Sequence, residues 1–342
     1  MIKVGVVGLG RQGMLHFMNC FHIDDVEVVS VADNSKRALM KAKSYGVKNT
    51  YSDYKEMFKA HPTLDAVLLS LPNFLHPASI ELALESGFNV FVEKPLANTS
   101  IECRQILRFV QKSGRKLMIG HNCRFYDAIV RMKEHLENGF IGDLEVMTAE
   151  EVINGPFSHP AVPRPVAEWW FDPEKAGGGV LLDIGYHMID LFRFLAGDAQ
   201  VLYSFLGNRL GLPIEDTAIA ILKSSSSNTK GIINVGWYER TIFPKFNFRV
   251  VLHGNAGFAS TDELIPRNLY VHAAKEGAKN VVRRVLGKRI RYLSYTYFYE
   301  SYFKELEHFF SCLRTDSEPS VSAGEGLRAI EIIEEAYQKA GR

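Results

Sequence analysis

A doubly wound parallel α/β sheet, followed by a second α/β domain on a large, mostly antiparallel open sheet, is the fold this sequence predicts. Three observations predict it. Short apolar runs alternate with helical patterns over the first 120 residues. A glycine-rich turn, Gly8-Leu9-Gly10-Arg11-Gln12-Gly13, joins the first apolar run to the first helix. Beyond residue 144 the apolar runs follow one another as hairpins do. At 342 residues the chain has room for two cores. The expected division is a dinucleotide-binding domain over 1–121 and a substrate-binding domain over 122–342.

In chain order, strands are expected at Ile2–Val7, Val26–Ala32, 66–71, 89–92 and 116–119, with helices at 77–86 and 101–112 among those between them. A helix over Asp127–Glu137 then leads to a strand at Leu144–Val152. A loop rich in Pro, Gly and aromatic residues spans 154–179, and an apolar helix over 180–195 closes at Gly197. The alternating runs 216–223 and 231–238 flank a serine-rich turn, and 246–252, 257–260 and 268–272 continue the sheet. Two helices, 302–313 and 326–340, finish the chain, the second opened by the capping box Ser322-x-x-Glu325.

The glycine turn is a dinucleotide-binding (Rossmann) fingerprint in its required setting of strand, turn, helix and strand. Gly8 permits the tight turn, Gly10 lets backbone approach a diphosphate, and Gly13 lets helix pack on strand. Asp33 stands twenty residues after Gly13, at the end of the second strand, where its carboxylate can hold the ribose hydroxyls. It favours NAD over NADP by repelling a 2′-phosphate, a preference that Lys36 and Arg37 soften. Ligands of such sheets lie outside the carboxyl ends of the strands. That directs attention to Ser70-Leu71-Pro72-Asn73 with His76, to Glu93-Lys94-Pro95-Leu96, and to Asn122 and Arg124.

Lys94 at a strand end can stabilise a developing alkoxide. Asp183 and His187 stand four apart in a Gly-rich segment, hence on one face of a helix; His187 can take a hydroxyl proton while Asp183 orients it or holds another hydroxyl. With Asp190 they form a weaker candidate for a metal site, and no metal is expected. Trp169, Trp170, Tyr238 and Tyr302 are candidates for walling a sugar ring, Arg124 for a further substrate contact, and His159 for a lid over the site. The basic segment 283–291 reads as a solvated helix face in preference to a phosphate or membrane site.

Composition narrows the function classes. Hydrophobic residues make up 46%, charged residues 23%, and the net charge is +1, so nothing points to nucleic acid or an anionic membrane. Four scattered cysteines without paired spacing suit reduced thiols and a cytoplasmic protein. A strand signal starting at residue 2 leaves no signal peptide to be expected, and no apolar run reaches eighteen residues.

Taken together, the glycine turn, Asp33, the Glu93-Lys94-Pro95-Leu96 block, Asn122-Cys123-Arg124-Phe125 and Asp183-x-Gly185-x-His187 resemble the glucose–fructose oxidoreductase/inositol dehydrogenase (Gfo/Idh/MocA) family over nearly the whole chain. The resemblance implies a Rossmann domain, then an α/β domain whose open sheet joins subunits into a homodimer or homotetramer. It also implies a catalytic set of Lys94, Asp183 and His187. The implied activity is an NAD(P)-dependent dehydrogenase acting on a secondary alcohol of a sugar, inositol or nucleotide sugar. The cofactor would be held by Gly8, Gly10, Arg11, Gln12, Gly13, Asp33, Asn34, Arg37, Ser70, Leu71, Pro72, Asn73, His76, Glu93, Lys94, Asn122 and Arg124. The alternatives are an NAD-dependent glycoside hydrolase working by transient oxidation and elimination, and a non-catalytic NAD(H)-binding regulator.

Overall fold

The structure, a computed structural model, describes residues 1–155, 167–237, 247–264, 269–287 and 299–341. Its first stretch alternates strictly: β1 (Ile2–Val7), α1 (Arg11–Cys20), β2 (Val26–Ala32), α2 (Lys36–Ser44), β3 (Asn49–Tyr51), α3 (Tyr54–Ala60), β4 (Ala66–Leu69), α4 (His76–Glu85), β5 (Asn89–Glu93), α5 (Ser100–Ser113) and β6 (Leu117–Gly120). These strands form one parallel sheet in the order β3-β2-β1-β4-β5-β6. The order reverses between β1 and β4, which is where such sheets bind ligands. Every residue of β4 and β6 is buried, as parallel strands covered on both faces require. The three-residue edge strand β3 was not expected; Asn49-Thr50-Tyr51 is too short and polar to show a period.

The chain continues with α6 (Asp127–Glu137), β7 (Leu144–Val152), α7 (Pro173–Ala176), α8 (Tyr186–Ala196), β8 (Ala199–Gly207), β9 (Thr217–Ser224), β10 (Lys230–Gly236), β11 (Asn247–Gly254), β12 (Phe258–Ser260) and α9 (Thr261–Leu264). Three helices follow: α10 (Leu269–Val285), α11 (Tyr299–Thr315) and α12 (Ala323–Lys339). The second sheet has the order β12-β11-β7-β10-β9-β8. All its pairs are antiparallel except β7 with β10. One face buries Ala218, Ala220, Leu222, Ile233 and Val235. The other exposes Tyr203 (54%), Phe205 (48%), Ile219 (37%) and Ile232 (44%), and the strand register sets Phe205 beside Ile219.

Two expectations are corrected. Of the strand expected over 268–272, residue 268 lies outside the described residues and 269–272 do not extend the sheet, because Leu269 opens the 17-residue helix α10. The β-prone Leu269-Tyr270-Val271 is outweighed by the Ala, Lys and Glu residues that follow it. Nor is 180–195 one regular helix: a π-type turn, Leu181–Gly185, precedes α8. The Glu215 carboxylate draws the segment's first amides aside, accepting from Gly179 N at 2.8 Å and Leu181 N at 3.2 Å. Inside the loop expected over 154–179 lie a short 3₁₀ turn, Glu168–Phe171, and α7.

By compactness the chain divides into two units. Met1–Ala97, Ile101–Phe125 and Pro266–Gly326 form the first, and Asn98–Ser100, Tyr126–Ile265 and Leu327–Arg342 the second. The first sheet ends at Gly120 and the second begins at Leu144, and α11 belongs to the first unit, where it packs on α1 and β6. Among the described residues, no helix is long and apolar enough to cross a membrane. All four cysteines are buried thiols outside any disulfide.

Candidate functional site

The β1–α1 turn is built by what a side chain would collide with. A Cβ on Gly8, whose φ is +81°, would stand 2.3 Å from the Ser70 carbonyl oxygen, and one on Gly13 1.8 Å from that of Gly8. Around Gly10 nothing lies within 4 Å. Gly10 is the N-cap of the ten-residue α1, and no side chain caps that helix start. Room is therefore left at the start of α1, a cradle that fits a dinucleotide diphosphate. At the tip of β2, Asp33 accepts from Leu9 N at 2.5 Å and Ser35 N at 2.7 Å, which fixes its carboxylate beside the turn. Asn34 and Arg37 are exposed next to it, as is Arg11 on α1. The buried hydroxyl of Ser70 has no hydrogen-bond partner. Leu71 and Pro72 are half-buried and Asn73 is buried.

β5 ends on the buried Glu93 and the half-buried Lys94, and the Lys94–Pro95 peptide is cis. His76 lies beneath this end, 1% exposed, with Nδ1 2.8 Å from Pro95 O and Nε2 3.0 Å from Leu71 O. Two carbonyl acceptors favour the protonated ring, but burial outweighs them and lowers the His76 pKa. His76 thus braces the two strand-end loops against each other. Asn122 bonds the Ser301 hydroxyl at 3.1 Å. Arg124 is buried between Ser320 O at 3.2 Å and the Glu325 carboxylate at 2.7 Å. The capping box is accordingly half local, for Ser322 accepts from Glu325 N while the Glu325 carboxylate takes the arginine. Tyr302, read as a sugar wall, belongs to the first unit and accepts from Gln12 Nε2 at 2.8 Å.

The second unit carries Asp183 and His187. Asp183 is half-buried in the π-type turn and His187 buried in the first turn of α8, so the simple four-residue helical spacing does not relate them. Trp169 stacks on Trp170 at 4.9 Å, and Trp170 meets Trp237 edge-on at 6.3 Å. Arg283 donates to Asn280 at 2.9 Å and Arg284 is exposed on α10, while 288–291, His159 and Tyr238 lie outside the described residues. Sequence reasoning passed over three buried groups: His16, Glu215 and Glu305. Glu305 carried a readable signal, being a carboxylate on the apolar stripe of α11 that also buries Ser301, Leu306 and Phe309.

A family model described as an oxidoreductase family with an NAD-binding Rossmann fold matches residues 2–121, and the GFO/IDH/MocA C-terminal domain matches residues 129–260. The chain belongs to the Gfo/Idh/MocA family. It is an NAD-binding oxidoreductase, as the glycine turn leads one to expect. Its relatives include a myo-inositol 2-dehydrogenase of Thermotoga maritima, 26% identical over 337 residues, covering 96% of this chain and 93% of that one. A scyllo-inositol 2-dehydrogenase (NAD(+)) of Bacillus subtilis is 26% identical over 333 residues, with 94% and 89% covered. The fold matches that of a Lactobacillus casei scyllo-inositol dehydrogenase solved with NAD(H) and scyllo-inositol, at TM-score 0.79, 21% identity and coverage of 99% and 96%.

Proposed function

We propose that this protein is a dehydrogenase that oxidises a secondary alcohol of an inositol or a sugar, using NAD, with Lys94, Asp183 and His187 as its catalytic residues. The observation that carries the reading is Lys94 itself. It is a half-buried ammonium at the carboxyl end of β5, beside a buried carboxylate, in the sheet whose β1–α1 turn carries the glycine fingerprint. Full-length similarity to dehydrogenases of myo- and scyllo-inositol supports the substrate class. NAD, when bound at the glycine turn, would supply the hydride acceptor. Lys94 donates to the reacting oxygen and steadies its negative charge as the C–H bond breaks. His187 takes the hydroxyl proton, and Asp183 holds the substrate and sets the charge on His187. The first unit then holds the cofactor, with Asp33 selecting NAD by refusing a 2′-phosphate. The second supplies substrate contacts and, through the outer apolar face of its sheet, joins copies of the chain.

Lys94→Met should lower kcat by at least about a hundredfold while NAD affinity changes only a few-fold. Wild-type turnover in that variant would remove the assignment. NADH formed in step with the oxidised inositol or sugar separates this reading from a hydrolase, which would return its NAD unchanged.

A further inference from the structure

Beneath Lys94, the first unit buries three ionisable side chains that the reaction does not touch. His16 of α1 and Glu305 of α11 are fully buried and Glu93 nearly so, and one N or O atom of each lies within 4.8 Å of the others. Nε2 of His16 is 2.5 Å from Oε1 of Glu93. Phe91 packs edge-on against His16 at 5.1 Å and Tyr302 at 5.9 Å, closing the ring off from water. Neither carboxyl oxygen of Glu305 has a hydrogen-bond partner, and Nδ1 of His16 has none either.

A shared cation does not fit this geometry. Two donors on one zinc ion, each at 2.0–2.2 Å, stand about 3.4 Å apart at the tetrahedral angle. The His16–Glu93 separation is instead that of a short hydrogen bond. What remains is protonation. An ionised Glu305 would be a buried charge without a donor, close to a second carboxylate. Glu93 is the member with partners, namely the His16 ring it hydrogen-bonds, the Lys94 ammonium and the His76 ring.

We infer that Glu305 is kept as the neutral acid and serves as a positioning residue, leaving Glu93 the one negative charge of the cluster and the counter-charge that holds the Lys94 ammonium. This rests on the role assigned to Lys94. The titratable groups around Glu305 are consistent with it: burial first and the Glu93 charge second push the Glu305 carboxyl well above the usual carboxylate range. Burial also acts to raise Glu93, but the His16 hydrogen bond, the charge of His16 and that of Lys94 bring it below its ordinary value. Tyr302, on the same helix as Glu305, is pushed well up by burial and by Glu93 and Glu305, with Cys123 adding to this and Gln12 opposing it.

Two readouts independent of turnover test the protonation. A carboxylic-acid C=O stretch should appear in the infrared spectrum of the whole protein at neutral pH and vanish in Glu305→Gln. A group with a raised folded pKa stabilises fully below its unfolded pKa and loses that contribution as pH rises towards the folded value. The melting temperature of Glu305→Gln relative to wild type should therefore climb as pH rises above about 4.5. A flat difference, no acid band, or a stoichiometric divalent metal lost in Glu305→Gln would overturn the inference. The positioning role is read from the alkaline limb of kcat, where ionised Glu305 sets a second negative charge against Glu93 and draws Lys94 back. That limb should move up by at least a pH unit in Glu305→Gln. An unmoved limb removes the positioning role. If Lys94→Met keeps full turnover while the acid band is present, the Lys94 assignment has failed and the neutral acid stands without it.

Discussion

Gly10 and Gly13 lie three residues apart in the same turn, and the structure predicts opposite consequences for adding one methyl group to each. On Gly13 the new carbon meets backbone: the Gly8 carbonyl oxygen at 1.8 Å, the Gly8 carbonyl carbon at 2.8 Å and the Ser70 Cβ at 3.0 Å. The first distance is more than an ångström inside any tolerable contact, and no flexible side-chain end is available to yield. Relief has to come from lifting α1 off the sheet, where it buries Leu15, His16 and Phe17. Overpacking of this kind costs about 1–3 kcal/mol and rises when backbone must move. For a unit of this size, each kcal/mol corresponds to roughly 2–4 °C in Tm. On Gly10 the methyl group meets nothing within 4 Å, so the free protein should melt as wild type does. Its Cβ would instead project into the space assigned to the diphosphate. Losing one charge-assisted hydrogen bond of about 1.5–3 kcal/mol weakens NAD about ten- to a hundredfold. The assay is thermal melting without cofactor, paired with NAD titration by calorimetry. Gly13→Ala should fail in both, Gly10→Ala in the second alone. Equal melting temperatures for the two variants, or wild-type NAD affinity in Gly10→Ala, would refute the account of this turn.

Other perturbations follow from single contacts. Asp33→Ala should raise the affinity for NADP relative to NAD, measured by competitive titration; an unchanged ratio would take the ribose from Asp33. Glu215→Ala strands the amides of Gly179 and Leu181 together with the Tyr337 hydroxyl, 2.8 Å from the carboxylate, and should cost about 3–5 kcal/mol in denaturant unfolding. Tyr337→Phe should cost only about 1 kcal/mol, so similar losses in the two would show that the amides are satisfied elsewhere. Ile232→Glu places a charge at the centre of the exposed sheet face and should shift the protein to smaller assemblies by light scattering; an unchanged mass would leave this face outside the subunit contact.

Much of the fold was legible because the first sheet consists of buried apolar strands set off by glycine turns. β1, β2, α6 and β7 lie where the residue pattern places them, to the residue. Legibility fails where tertiary contacts override local preference. The segment after Gly179 has the apolar content of a helix, and nothing local announces that its first amides are capped by Glu215, 36 residues further on. The glycine turn and Lys94 announce their chemistry through neighbours in the sequence. His16 and Glu305 do not, since each is an ordinary residue of an amphipathic helix until the chain has folded and set them against Glu93.

That late meeting bears on how the chain is made. The first unit draws on residues near both ends, because α11 supplies the surface against which α1 and β6 rest. During synthesis the six parallel strands emerge well before α11, and until it arrives Phe91, His16 and Glu93 lie open on a half-covered sheet. A polypeptide released at residue 121 would contain every strand of the first sheet and still lack one wall of its core. The dinucleotide-binding part of this protein is therefore encoded first but completed only after most of the second unit has been made.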